Sequence, residues 1–495
     1  MHSKTNLSGN VTIALTLTLT ICLSLIFTIL ESARLTSIKT HFIDVTHLCA
    51  DSLFSNYCSE LFNEYGVFGI NTTDIDINNF LETYISDNIS EPTVINILLN
   101  NYNLLEGSLE SLNTTNYIYL TDNDGKIFSD QIEQYMSYKE ISEIAESIIN
   151  TTNTTSVEIY DITDESFDYS TVDLSVLDNP PPNDYSECLD ISDEEANNYK
   201  TSMSDYIASI LQENILLFVL EHPDTISKIT VDRLTLPSVT TEFTSEGSAI
   251  AEGYYSDSDF ISYERILFEE YTSMTFGCYT DPHPNSMMKY EQEYLINGSP
   301  EDDQNLLNTA VKLIFLRGSF NAVFIIKDSK KRTAASELAA KCVGSTPVLK
   351  QIVEFGIIST WAIAEGVIDV RDLLKGKKVP LIKDESTWTL DLGSVTSLAQ
   401  NLTSKNDGSS GFDYQYYLKL LLAAQSEMAL RFRTMDLIQL NICKNYNPTF
   451  RMNNCVCGID ISVSYKTPNI FLNLNNLIDA EKSETFTINE TYFYD

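Results

Sequence analysis

Near the start of the chain, from Val11 to Leu30, stand twenty residues without a charge. As a helix rising about 1.5 Å per residue, the run spans about 30 Å, the thickness of a bilayer's hydrocarbon core. In lipid every backbone N–H and C=O must be paired within the segment, so an α-helix is the form open to it. A cleaved signal peptide has a shorter apolar stretch and a small-residue exit. This run is full length and leaves through Glu31-Ser32-Ala33-Arg34, so it reads as a retained signal-anchor. Lys4 and the amino terminus favour the cytoplasm, while Arg34 and Lys39 oppose it. The long, mostly acidic remainder tips the balance toward an exported domain. The expectation is a single-pass protein of the cell membrane, N-terminus cytoplasmic and the bulk of the chain extracellular.

Thr12, Thr16, Thr20, Ser24 and Thr28 fall at every fourth position of this run, and Ser32, Thr36 and Thr40 continue the series. They form a ridge of small side chains winding slowly around the helix. In a membrane such a ridge lets a second helix approach closely and offers it hydroxyls. Each hydroxyl can equally bond back to the carbonyl four residues earlier. Both readings stand; the first makes these five residues candidate helix-packing positions, with membrane lipid and other membrane or pilin-like helices as partners. Beyond the run, Leu35, Ile38, Phe42, Val45 and Cys49 repeat at steps of three and four, the spacing of a packed seam. The spacing predicts a rod that continues over 31–66, ending near Gly66.

A chain of 495 residues exceeds one compact core. Its formal charge of -39 repels nucleic acid and anionic headgroups and keeps an exposed domain dispersed, so nucleic-acid binding is excluded. Lys and Arg are absent between Lys139 and Lys200 and cluster from Lys312 to Lys383. Nine cysteines are spaced irregularly, Cys22 within the apolar run; Cys443 with Cys455-Val456-Cys457 is the one local cluster. That spacing is poor for zinc, and buried thiols or one or two disulfides are the structural reading.

The fold class expected is α+β: a single N-terminal transmembrane helix extending into a long rod, a helical core domain, and a small antiparallel sheet including the C-terminus. The organisation runs as follows: cytoplasmic tail 1–10, transmembrane helix 11–30, juxtamembrane helix 31–66, and a mixed α/β region 67–157. An acidic linker or flexible loop follows at 158–197, a mainly helical ectodomain at 198–450, and C-terminal strands at 451–495. Tyr117 to Leu120, Asn123-Asp124-Gly125 and Lys126 to Phe128 read as a hairpin with a tight turn. A calcium-loop reading of that stretch fails at Leu120 and Gln131, where acidic ligands are required. Helical periods appear at 198–234, 264–276, 289–296, 302–327, 333–343, 348–373 and 414–442, and Ser299-Pro300-Glu301-Asp302 is a good helix start. Ile459 to Tyr465 and Thr485 to Asn489 alternate as strands do.

Chemistry is hard to find in this sequence. No nucleophile elbow, phosphate loop, zinc-protease or dinucleotide fingerprint occurs. The five histidines, at 2, 41, 47, 222 and 283, form no metal-ligand spacing, and carboxylates are too abundant to single out a pair. Catalytic, cofactor and metal residues are therefore expected to be none, and no small-molecule substrate is identified. The tract Lys375 to Lys383 is the best local basic patch; it could bind an acidic surface such as the chain's own linker, but a solvated loop after the 348–373 helix is the reading favoured. N-x-[ST] sequons such as Asn71-Thr72-Thr73 follow from Asn and Thr richness.

Several fragments carry a resemblance together: Gly9-Asn10-Val11-Thr12, Glu31 to Arg34, Phe54 to Tyr57, Tyr65 to Phe68, Tyr290 to Gly298, Val370 to Lys383 and Tyr417 to Leu422. They resemble an uncharacterised family of membrane-anchored proteins in Gram-positive bacteria, a domain of unknown function. The N-terminus also resembles the TadE/TadG group of minor pilin-like proteins of tight-adherence (type IVc) pili. That resemblance implies a part in assembling or anchoring a surface filament. Processed pilin-like precursors carry Glu at the fifth position after the cleavage-site Gly. Counting from Gly9 that place is Ala14, so the unprocessed, large-ectodomain, TadG-like form fits better. The expectation is a non-enzymatic surface protein of a pilus system, the alternative a stand-alone adhesin or ligand-binding protein.

Overall fold

A helix whose first half is uncharged on every side and whose second half is apolar on one has to serve two surroundings. In the computed structural model, α1 runs unbroken from Leu7 to Phe54. The structure describes residues 7–73, 75–90, 104–151, 192–212, 215–240, 263–344, 347–400, 402–471 and 483–494. These divide into two compact units, one drawn from Met1–Gln131 and Tyr446–Asp495, the other from Ile132–Thr240 and Ser258–Asn445.

In the first unit, α1 is followed by α2 (Ser59–Tyr65), β1 (Ile70–Asn71), α3 (Ile77–Ser90), β2 (Ser108–Tyr119) and the start of α4 (Asp122–Thr151). β3 (Cys455–Pro468) and β4 (Ser483–Phe493) close it near the C-terminus. β3 is the central strand: β2 and β4 run antiparallel to it, Val463 facing Leu112 and Ile488, and β1 pairs with its start. Along β3, Ile459, Ile461, Val463 and Tyr465 turn inward while Asp460, Ser462, Ser464 and Lys466 turn out. The inward row meets Ile38, Phe42, Val45, Cys49 and Leu53 of α1 and Leu81 and Ile85 of α3 in one core. Phe42 stacks on Tyr465 at 4.4 Å, and Tyr465 Oη shares a 2.6 Å hydrogen bond with Thr46 Oγ1. Gly107 passes so close that a Cβ there would stand 2.3 Å from the Phe42 ring. The seam read from the sequence is the core of this unit.

The structure corrects three expectations in and around this unit. The rod expected over 31–66 ends at Phe54, because Asn56 Nδ2 and Ser55 Oγ take the carbonyls of Ser52 and Asp51 and compete with further helix. The hairpin over 117–128 is a strand followed by a helix. Asn123, Asp124 and Gly125 are all left-handed (φ 54, 55 and 71), turning the chain too far for a two-residue hairpin, and β2 finds its partner in β3. The acidic linker expected over 158–197 lies mostly outside the described residues, but its end is helix, α5 (Asp193–Gln212). Ser192 and Glu195 form a capping box, Ser192 N donating to Glu195 Oε2 at 2.8 Å and Glu195 N to Ser192 Oγ at 3.4 Å.

α5 belongs to the second unit, with short α6 (Leu216–Val219) and α7 (Pro237–Thr240), then α8 (Tyr263–Thr275), α9 (Glu291–Asn297), α10 (Asp302–Lys327) and α11 (Ser329–Val343). α12 (Pro347–Leu374), α13 (Tyr414–Ala423) and α14 (Glu427–Asn445) complete it. The helix expected over 198–234 ends at Val219, where α6 closes, since Leu220 is extended ahead of His222-Pro223. The single helix expected over 414–442 is two, α14 starting afresh at Ser426, whose Oγ accepts from Ala429 N. α10 and α12 are apolar and long enough to cross a membrane by composition, yet they pack on each other within this unit. They cross at two glycines. A Cβ on Gly366 would stand 2.8 Å from Ile314 O, and one on Gly318 would stand 3.1 Å from Ile363 Cγ1.

Phe42→Ala should remove the stacked ring and leave a cavity under Gly107, weakening the first unit by about 3–5 kcal/mol. Amide exchange along β3 in the detergent-solubilised chain measures it; unchanged β3 protection would contradict the core assignment.

Candidate functional site

α1 passes from its uncharged run to its docked half at Glu31. The run itself is exposed throughout: Ser24 and Phe27 alone are partly covered between residues 11 and 30. The five ridge residues lie on this exposed stretch. Thr16, Thr20 and Thr28 donate to the carbonyls of Thr12, Thr16 and Ser24 at 2.8–3.0 Å, the back-bonding reading of the ridge. Such bonds satisfy each hydroxyl's proton and leave its lone pairs and small volume on the helix surface.

One turn on, Glu31 and Arg34 are 1% and 6% exposed and form an ion pair at 2.7 Å. Burying two charges costs several kcal/mol per ion unless further hydrogen bonds complete them. Here they do. Arg34 Nε donates to Leu104 O at 2.7 Å, Nη1 to Pro468 O at 3.0 Å and Nη2 to Thr467 Oγ1 at 3.1 Å. Glu31 accepts from the backbone N–H groups of Ile470 at 3.3 Å and Phe471 at 2.7 Å. The joint between apolar run and folded unit is thus clamped at the end of β3. The sequence displays the pair as opposite charges three apart after an apolar run; their partners, seventy to more than four hundred residues on, it does not display.

The basic tract Lys375–Lys383 is not a solvated loop at its end. Lys383 lies fully buried between Glu365 Oε1 and Asp369 Oδ1, the latter at 2.6 Å. Arg317, also fully buried, reaches Asp369 Oδ2 and Leu381 O at 3.1 and 2.8 Å, and Asn321 donates to Asp369 Oδ2 at 2.9 Å. The backbone N–H groups of Thr389 and Leu390 complete Glu365, while Trp361 and Trp388 both donate to Leu390 O. Burial pushes the Glu365 carboxyl up. Burial would also raise Asp369, but the facing Lys383 and Arg317 charges outweigh it and hold the group below its ordinary value. Two cations and two carboxylates make a neutral knot that ties the loop to α10 and α12.

Elsewhere in this unit an open cleft of about 620 Å³ is lined by Thr225, Ser227, Tyr279, Thr280, Lys289, Tyr290 and Lys375 among others. Asp302, the first residue of α10, is buried beside it and accepts from Ser227 Oγ at 2.5 Å and Lys289 N at 3.0 Å. Sequence reasoning placed Asp302 at this helix start without anticipating its burial. In α9, Glu291 accepts from Gly277 N and Asn441 Nδ2, and Glu293 Oε1 accepts from Tyr279 N at 2.9 Å and Tyr414 Oη at 2.8 Å. Burial pushes both carboxyls up to about 7. The cleft offers ammonium and hydroxyl groups to a polar or anionic ligand. Among the described residues no three His, Cys, Asp or Glu side chains gather to hold a metal ion, and Cys49, Cys278, Cys455 and Cys457 are buried.

The fold and site define an α+β protein with an N-terminal apolar helix of the kind that anchors a chain in a membrane. The chain belongs to a family of unknown function, DUF5702, which it matches over residues 193–467, more than half its length. No curated protein and no solved structure matches it.

Lys383→Met should leave Glu365 buried without its cation and Asp369 with Arg317 alone, and destabilise the second unit by about 3–5 kcal/mol. Urea unfolding followed by the emission of Trp361 and Trp388 tests this; a loss below about 1 kcal/mol would contradict the knot. Glu293→Gln separates the carboxyl's contribution. A carboxyl raised in the folded state stabilises below its unfolded value near 4.5, and that stability is lost as pH rises toward 7. Relative to Glu293→Gln, the unaltered chain should therefore lose up to roughly 3 kcal/mol between those pH values. Parallel stability–pH curves for the two chains would remove the group from the account.

Proposed function

We propose that this protein is a non-enzymatic, membrane-anchored surface component of a bacterium, a TadG-like part in the assembly or anchoring of a tight-adherence (type IVc) pilus. Its unprocessed N-terminal helix sits in the membrane with the N-terminus cytoplasmic and the two units outside the cell. The observation that carries this reading is the division of labour along α1: an exposed, uncharged half, then a half that is core, with Glu31 and Arg34 clamped between them. A helix rigidly continuous with its folded unit can transmit a position in the membrane to the surface outside. The Ser/Thr ridge at Thr12, Thr16, Thr20, Ser24 and Thr28 supplies the close approach that another membrane or pilin-like helix needs. The N-terminal resemblance to the TadE/TadG group points the same way. A second reading, a stand-alone adhesin or ligand-binding protein, is favoured by the polar cleft around Ser227, Lys289 and Tyr290.

A photo-cross-linker placed at Thr16 or Thr20 in intact cells should capture another membrane or pilin-like helix, and deletion of the gene should abolish surface filaments. Unchanged filaments and adhesion after deletion, with wall or host ligand bound by the purified full chain, would favour the second reading.

A further inference from the structure

We propose that the first unit sits with the turn after β3, at Ile470 and Phe471, sunk into the lipid interface beside α1. The inference rests on the membrane-anchor reading and adds to it a depth and an orientation. Phe471 stacks on Phe27 with ring centroids 6.4 Å apart and planes 16° apart. Phe27 lies three residues inside the end of the uncharged run, about 4.5 Å below Leu30 along the helix. A ring beside Phe27 is therefore at the level where lipid begins, once α1 is in a bilayer.

The contact is held in place by the joint itself. The N–H groups of Ile470 and Phe471 are the donors that complete the buried Glu31 carboxylate. The backbone that satisfies Glu31 is the backbone that delivers Phe471 to Phe27. In a chain with 70 acidic residues, the stretch Thr467-Pro468-Asn469-Ile470-Phe471 carries no charge, and Ile470 and Phe471 keep part of their surface exposed. Aromatic rings favour this level of a membrane, where one face meets hydrocarbon and the other the headgroups. The opposite end of the sheet points away: Phe493, paired with Gly458, lies ten β3 residues from Pro468, about 33 Å along the strand.

The test uses the full chain in phosphatidylcholine nanodiscs, with Phe471→Trp, Ile470→Trp and Phe493→Trp each measured against the unaltered chain. The background is constant, because Trp361 and Trp388 are buried in the other unit. Lipids brominated close to the headgroup should quench most of the added emission of Phe471→Trp or Ile470→Trp and shift it to shorter wavelength, leaving Phe493→Trp unquenched. If the chain elutes with the discs but aqueous iodide, not lipid, quenches both 470 and 471 reporters, the seating is wrong and the anchor stands. A chain that fails to elute with the discs overturns both.

Discussion

Everything in the first unit depends on one helix meeting two solvents. From Val11 to Leu30 its side chains are uncharged all round and mostly apolar, which suits lipid; from Ile38 to Leu53 they are apolar on one face, which suits a sheet. The change of surroundings falls at Glu31 and Arg34, the first charges after the run. Neither is left to water. The ion pair, two backbone N–H groups and three further acceptors complete both groups, so α1 crosses from one environment to the other without a flexible break. Breaking one member would strand the other in a buried site.

The second unit solves a different problem with similar means. α10 and α12 are hydrophobic enough for a membrane, and glycines at 318 and 366 let their backbones nearly touch. What marks them as the core of a folded unit is the charge buried between them: Arg317, Glu365 and Asp369, matched by Lys383 from the loop that follows. The same helix pair leaves Val348, Leu349, Ile352 and Phe355 on its outer surface, apolar and exposed.

Much of this was legible because it is local. The uncharged run, the three-and-four spacing of Ile38, Phe42, Val45 and Cys49, the bounds of α10 and the alternation in β3 are all written in neighbouring residues. The sequence is silent where a distant partner decides. Tyr117 to Leu120 looked like a hairpin arm because nothing nearby announces β3 as its partner. Lys383 looked solvated because its counter-charges lie on other helices, and the break at 424–426 was hidden in residues that favour helix well enough. The ridge of Thr12, Thr16, Thr20, Ser24 and Thr28 was plain in the sequence, and its occupant is a question of assembly rather than of this chain's own packing. The carboxylates Glu291 and Glu293 are lost among seventy acids; only burial distinguishes them.

The intact mass of the mature protein, taken from cell membranes washed with alkaline carbonate, bears most directly on the role given to α1. A membrane-retained chain that still contains residues 11–30 is the result this account requires. A mature chain that begins beyond Leu30 and is recovered free in the medium would contradict it, because α1 would then be a helix with one surrounding instead of two.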